Sequence, residues 1–561
     1  MKQGEKVIIM KNKKKVQFGL RLNKGVLSLA AASLSALLIT SLVAVKTTAD
    51  TIAPVTQTDN SNSGLWTGKD GDCDWNYDLV TRTLTISGSS GSQLSSTPLA
   101  QELPWHYNVN HIVINGPIKL PVNAQGKFAN FEYLQDIRGM DQVDTSATTN
   151  MASLFEKDEF LTSVDTSNFD THNATDMSKM FSQTAIKSLA LANFDTRKVT
   201  NMAGMFAGTK TPQLDLTHFD TSNVTDMSNM FMNNATQTLD VAGFKTDKVT
   251  TTAGMFQGAA ASKLDVSSFD TSRVTNMSNM FSRMGNLTSL DLHNFDTSNV
   301  TNMDSMFLYD SGLTDLNIAS FSTKKVTIMN HMFAGMGKIE RLDLRGLDTR
   351  NVTNMVSMFA EDAKLTDLDV SHFKTGKVTD MGFMFSKCAS LTSLDVKNFD
   401  TRNVDSIAYM FSGLKRVKML DLHTFKTGKL RFMTGAFADD AVLTSVNLKS
   451  WDTSMVKMMY SLFENDPSLV KVDLSNFKTN SLTEADRMFR NDPNLMQVDL
   501  HGWNTRKLTG TSEMFKNCTS LVKANLRGWH TPNLIDSTEM FRNTPQLAAG
   551  NFNMLYPSVL V

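Results

Sequence analysis

The feature that most constrains this chain is a unit that returns every 25 or 26 residues. It is plainest at 287–307, LTSLDLHNFDTSNVTNMDSMF, and its closing Phe recurs sixteen times between Phe155 and Phe541. The first spacing is 26, the next four are 25, and all later ones are 26. A fixed period of this length specifies stacked copies of one supersecondary unit, because a single unit cannot bury its own apolar face. Length alone, at 561 residues, would suggest several domains. The repeat overrides that, since a solenoid grows along one axis without such a limit.

Within one unit, Leu287, Leu290 and Leu292 alternate with polar residues as in a strand with one face buried. Leu290 and Leu292 should point inward, Asp291 and His293 outward. Asp296 to Asn299 are turn formers whose side chains bond nearby backbone. Val300, Met303 and Phe307 then sit at i, i+3 and i+7, a helical stripe, and Thr301 is placed to cap one or two helical turns. The unit is thus expected to run strand, turn, short helix, turn.

Stacking aligns equivalent residues in columns roughly 4.8 Å apart. One column holds Phe155 to Phe541. A second runs from Phe169 through Phe295 and Phe425, with Trp451, Trp503 and Trp529 substituting and Leu347 aliphatic. A third holds Met202, Met227, Met277, Met303 and Met355. These explain 34 Phe and 35 Met as core rather than cofactor contacts. Thr171, Thr196, Thr221, Thr271 and Thr297 form a hydroxyl column suited to satisfying turn backbone.

LxxLxLxxF at 287–295 looks like a leucine-rich repeat with Phe in place of the common Asn or Cys. The fuller unit, with FDTSxVTxM and MF recurring in register, resembles the 26-residue repeat of the BspA-like leucine-rich-repeat surface proteins over about residues 150 to 545. The segments LWTG (65–68), TLTI (83–86) and HIVING (111–116) resemble that family's entry module. The resemblance implies a secreted or surface-attached protein of Gram-positive bacteria or mycoplasmas, with a solenoid used for adhesion. It implies no enzyme, no defined ligand and no functional residue set.

The ends carry different signals. Residues 1–49 read as a signal peptide or N-terminal membrane anchor: a basic stretch, an uncharged run from Val26 to Val45, then small residues before Asp50. Met10, followed by KNKKK, would make a more ordinary start. Residues 50–63 are a polar linker, and 64–145 break the period as a β-rich N-terminal cap module, with a degenerate first repeat near Ile137. Residues 146–547 hold the sixteen repeats. The apolar tail, 548–561, reads as truncated, because no polar cap or sorting motif follows it. Nine of 55 Lys and Arg but one of 56 Asp and Glu lie before Asp50, so the remainder is acidic. That argues against nucleic acid or an anionic membrane as partner, leaving membrane contact to the N-terminal segment if uncleaved.

The three cysteines fit an exported chain without reliance on disulfides. Cys388 and Cys518 share one register five repeats apart, roughly 24 Å, beyond disulfide reach. No HExxH, GxSxG, P-loop or CxxC is present, and His293, His423 and His501 lie several repeats apart on one outward position. One column invites binding: Asp215, Asp240, Asp265, Asp291, Asp343, Asp369, Asp395, Asp421, Asp473 and Asp499, with Asn317, Asn447 and Asn525 substituting. Like charges on neighbouring strands repel, and Arg341, Lys471, Lys523, Arg345, Lys397, Lys449 and Arg527 offer relief. The column reads either as a compensated, solvated face that blocks edge association or as a recognition surface, with calcium as the cofactor it could hold.

The expected fold is therefore an α/β solenoid, a leucine-rich-repeat-like right-handed superhelix of parallel strands and short helices with a β-rich N-terminal cap. The expected function is an extracellular or cell-surface adhesin, not an enzyme, whose partner is a host extracellular protein or glycan. The alternative is a structural spacer or surface-layer component.

Overall fold

A core of aligned phenylalanines requires a backbone that returns to the same place once per repeat. In the computed structural model, which describes residues 65–547, the chain does so for about 17 turns. The expected signal or anchor, the linker and the apolar tail lie outside the described residues. The first strands are β1 (Leu65–Asp70), β2 (Cys73–Asp78) and β3 (Thr83–Ser87), an antiparallel meander. After β4 (Ser92–Gln93) and a four-residue helix, α1 (Leu99–Glu102), come β5 (His111–Asn115), β6 (Ile118–Lys119), β7 (Asp136–Arg138), β8 (Val143–Asp144) and β9 (Ser163–Val164). The main sheet runs β1-β2-β3-β5-β7-β9 and turns parallel from β3 onward.

The cap is thus continuous with the solenoid. Phe128 stacks on Phe155 at 5.9 Å, and Asn123 bridges Asn150 in parallel. The stacked coils therefore begin within the segment assigned from sequence to the cap, one coil before the first regular repeat.

Further along, strands are only three residues long. β10 (Ser289–Asp291) pairs with β11 (Asp315–Asn317), β12 (Met419–Asp421) with β13 (Ser445–Asn447), and β14 (Gln497–Asp499) with β15 (Lys523–Asn525), all parallel and in register. A second ladder of single parallel bridges runs unbroken from Asn123 through Asn302 and Ile328 to Asp536. Both aromatic columns form: Phe307 lies 5.7 Å from Phe333, and Trp503 lies 6.2 Å from Trp529, each pair stacked. Leu290 and Leu292 are buried and Asp291 and His293 exposed, as the alternation requires.

The expected short helices are absent; among the described residues α1 is the one α-helix. The stripe Val300, Met303 and Phe307 is buried, but on consecutive turns. Ser305 and Tyr309 adopt left-handed φ of 56° and 59°, and equivalent residues do so in every repeat, which no α-helix tolerates. Thr301 is no helix cap: its amide and hydroxyl both bond the carbonyl of Thr275 in the preceding coil. The amides of Met303, Ser305, Phe307 and Tyr309 all donate to the following coil instead of to their own turn. Two physical reasons favour this. Val, Thr, Asn, Asp and Ser are indifferent helix formers. A helix also needs 8–10 Å from its neighbour, whereas Phe281 and Phe307 stack at 5.9 Å. The fold is a parallel β-solenoid, not an α/β one.

Candidate binding surface

The outward Asp column lies on the face of the short strands, and its carboxylates have local work. Asp215, Asp240, Asp265, Asp291, Asp343, Asp369, Asp395, Asp421, Asp473 and Asp499 each accept the backbone amide two residues on, closing the turn after the strand. Asp343 also takes a two-pronged contact from Arg345, which holds its carboxyl down at about 2. Asp395 pairs with Lys397 at 2.8 Å. His293, His423 and His501 each pair with the Asp two residues before them. Asn317 and Asn447 donate to Asp291 and Asp421 of the preceding coil, which relieves repulsion along the column. Among the described residues no three His, Cys, Asp or Glu side chains gather as a metal site.

The Thr column satisfies backbone as expected. Thr297 Oγ1 donates to the Ser322 carbonyl at 3.1 Å and accepts the Ser322 amide at 2.7 Å, and the pattern recurs from Thr145 to Thr505. Cys388 and Cys518 are buried free thiols, donating to Phe359 and Phe489 carbonyls.

Two features escaped the sequence reading. Three residues after the closing Phe runs a buried column that includes Asp158, Asp310, Asp362, Asp440, Asp466 and Asp492, each essentially unexposed. One carboxyl oxygen of each accepts an amide from the preceding coil, and the other has no partner. Burial raises all six carboxyls well above their ordinary range, and at Asp466 the neighbouring Asp492 and Asp440 add to it. The recurrence of Asp in one register was a readable signal. Its burial was not, because acidic residues are almost never fully buried.

The second feature is a surface of aromatic side chains on the left-handed turn columns. Phe383 and Tyr409 stack at 4.9 Å, with Phe383 39% exposed. Tyr309 is 45% exposed, with Arg283 over its ring and its hydroxyl towards Glu361. Arg487, itself on one of these columns, lies over Tyr460 just outside them and donates to its hydroxyl. Elsewhere these columns hold mostly Gly, Ser or Asn. Gly435, with φ 56°, leaves the room that Tyr409 occupies; a Cβ there would overlap the ring.

Comparisons with known proteins bear on the repeat. The family model described as "Mycoplasma protein of unknown function, DUF285" matches residues 123–240, 183–289, 226–345, 336–445 and 431–552. No curated protein matches the chain. Two solved structures of the Drosophila Toll–Spätzle complex, one of them glycosylated, are similar over 82% of this chain at 12% and 11% identity. The chain spans 64% and 67% of theirs, with TM-scores of 0.17 and 0.22, too low to carry a shared global arrangement.

Proposed function

The chain belongs to the DUF285 family, and from that premise we propose that it is a surface-displayed or secreted binding protein of the BspA-like kind. In this reading it is an adhesin whose solenoid contacts a host extracellular protein or glycan. The observation that carries the reading is the exposed ring surface of Tyr309 and Phe383, with the half-buried Tyr409 stacked on Phe383. Aromatic side chains bring large contact area at low entropic loss, and they are enriched where proteins bind. Interior stacking already uses the closing Phe of every coil, so core packing does not account for rings on the outside. The basic n-region and uncharged run at the N-terminus support export.

The spacer reading rests on the Asp column, whose carboxylates each close their own turn. The two readings separate in a binding assay with the purified chain on immobilised mucin, fibronectin, collagen and glycans, with and without calcium. The adhesin reading expects saturable binding to at least one, weakened about tenfold or more by F383A with Y409A. If D343N, D369N, D395N and D421N together leave binding unchanged, the Asp face is not the contact. No binding to any surface by a folded sample favours the spacer.

A further inference from the structure

The cap module holds a buried group of reactive side chains that neither reading uses. Lys127 Nζ stands 2.6 Å from Asp70 Oδ2, and both side chains are fully shielded from solvent. Nζ also reaches Ser95 Oγ at 3.2 Å and the Thr97 carbonyl at 2.7 Å. Ser95 Oγ in turn donates to Glu102 Oε1 at 3.3 Å, and the Ser95 amide donates to Asp70 Oδ1 at 3.2 Å. Asp70 Oδ2 has no aligned hydrogen bond, although the amine is within contact distance. The positions are held by backbone: Asp70 ends β1, Glu102 ends α1, and the Lys127 carbonyl accepts the Leu99 amide at 3.1 Å.

We propose that Lys127 and Asp70 are a self-crosslinking pair, joined after folding by an amide bond between their side chains. The step is a condensation. The Lys127 ammonium first hands one proton to Asp70 Oδ2 across the 2.6 Å contact; the amine so formed attacks Asp70 Cγ, the new C–N bond forms, the Cγ–Oδ2 bond breaks, and Oδ2 leaves as water. One amine proton passes through Ser95 Oγ and Glu102 to the departing oxygen, so no oxidant or cofactor is needed. The Ser95 amide is placed to stabilise charge on Oδ1 as the tetrahedral carbon forms.

The environment suits each role. Taking two opposite charges out of water is costly even when they are paired. Burial lowers the Lys127 ammonium below its usual range, towards the nucleophilic amine. Burial and the nearby Asp70 raise Glu102, as a proton carrier needs. Cys73, the other nucleophile nearby, is pushed up to about 11 by burial and stays a thiol. Fixed contact of amine and carboxyl supplies an effective molarity of order 10⁵ M or more, which offsets the unfavourable condensation seen in water. The product ties the edge strand β1 to the first coil of the solenoid without a disulfide.

The test compares intact masses of the full chain and D70A, made identically, followed by peptide mapping. The wild type is expected to be one water lighter than the substitution alone explains, and to yield a branched peptide joining Lys127 and Asp70. A folded wild type with the full mass and two linear peptides overturns the proposal. In E102Q, the crosslinked fraction early after synthesis should fall at least tenfold. An unchanged fraction there overturns the assigned proton path.

Discussion

The buried carboxyls give the residue scale its most distinctive consequence. Asp440, Asp466 and Asp492 occupy consecutive coils, each amide of the first two donating to the next carboxyl at 2.8 Å. Asp439, Lys415 and Glu464 are the charged groups that act on the series from outside it. Their folded pKa lies above the unfolded value near 3.8, so the folded state holds protons that the unfolded chain releases. Their contribution is complete below that value and is lost as pH rises through the raised one. Asp343, on the outward column, works in the opposite sense. Asp343 is held at about 2, so its contribution is present above the ordinary range and fades as pH falls towards that value. D440N should therefore melt higher than wild type at pH 7 and differ little at pH 3.5, read by thermal denaturation. Asn already occupies this register at Asn234, where its amide reaches Thr209 Oγ1 at 2.6 Å. The Thr column predicts the reverse. T349V leaves the Lys374 amide and carbonyl without their partner and should destabilise by about 1–3 kcal/mol in urea.

Among elements, the left-handed turn is what sets this solenoid apart from a helix-bearing one. Ser357 sits there with φ 55°, and Gly holds the same position at Gly204, Gly254 and Gly435. S357G should be neutral or stabilising by up to about 1 kcal/mol, and S357V destabilising by about 1–3 kcal/mol, in urea titrations. The period, both aromatic columns, the Thr ladder and the inward Leu pattern were legible in the sequence, because each needs only equivalent positions to stack. The helix was misread because Val300, Met303 and Phe307 are buried at a helical spacing by tight turns as well. Periodicity reports which side chains go inward and not which backbone puts them there. The Asp face was also legible as a column, but its turn-closing role depends on the amides of His293 and its equivalents. The aromatic surface was hidden, since single Tyr and Phe substitutions in a degenerate register carry no periodic signal.

For the molecule as a whole, stability is a sum over neighbouring coils, so a defect acts first where it lies. F333A removes a ring stacked 5.7 Å from Phe307 and 5.7 Å from Phe359. It should destabilise by about 3–5 kcal/mol and open the adjoining coils ahead of distant ones in hydrogen exchange. The continuous ladder from Asn123 to Asp536 also means that the cap and the coils unfold from a shared sheet. Every repeat closes by left-handed turns and inter-coil hydrogen bonds. Far-ultraviolet circular dichroism of the purified chain tests it most directly. The expected spectrum is one of β-structure and turns, with at most a weak helical component. A strong pair of helical minima, on the scale of one short helix per repeat, would contradict it.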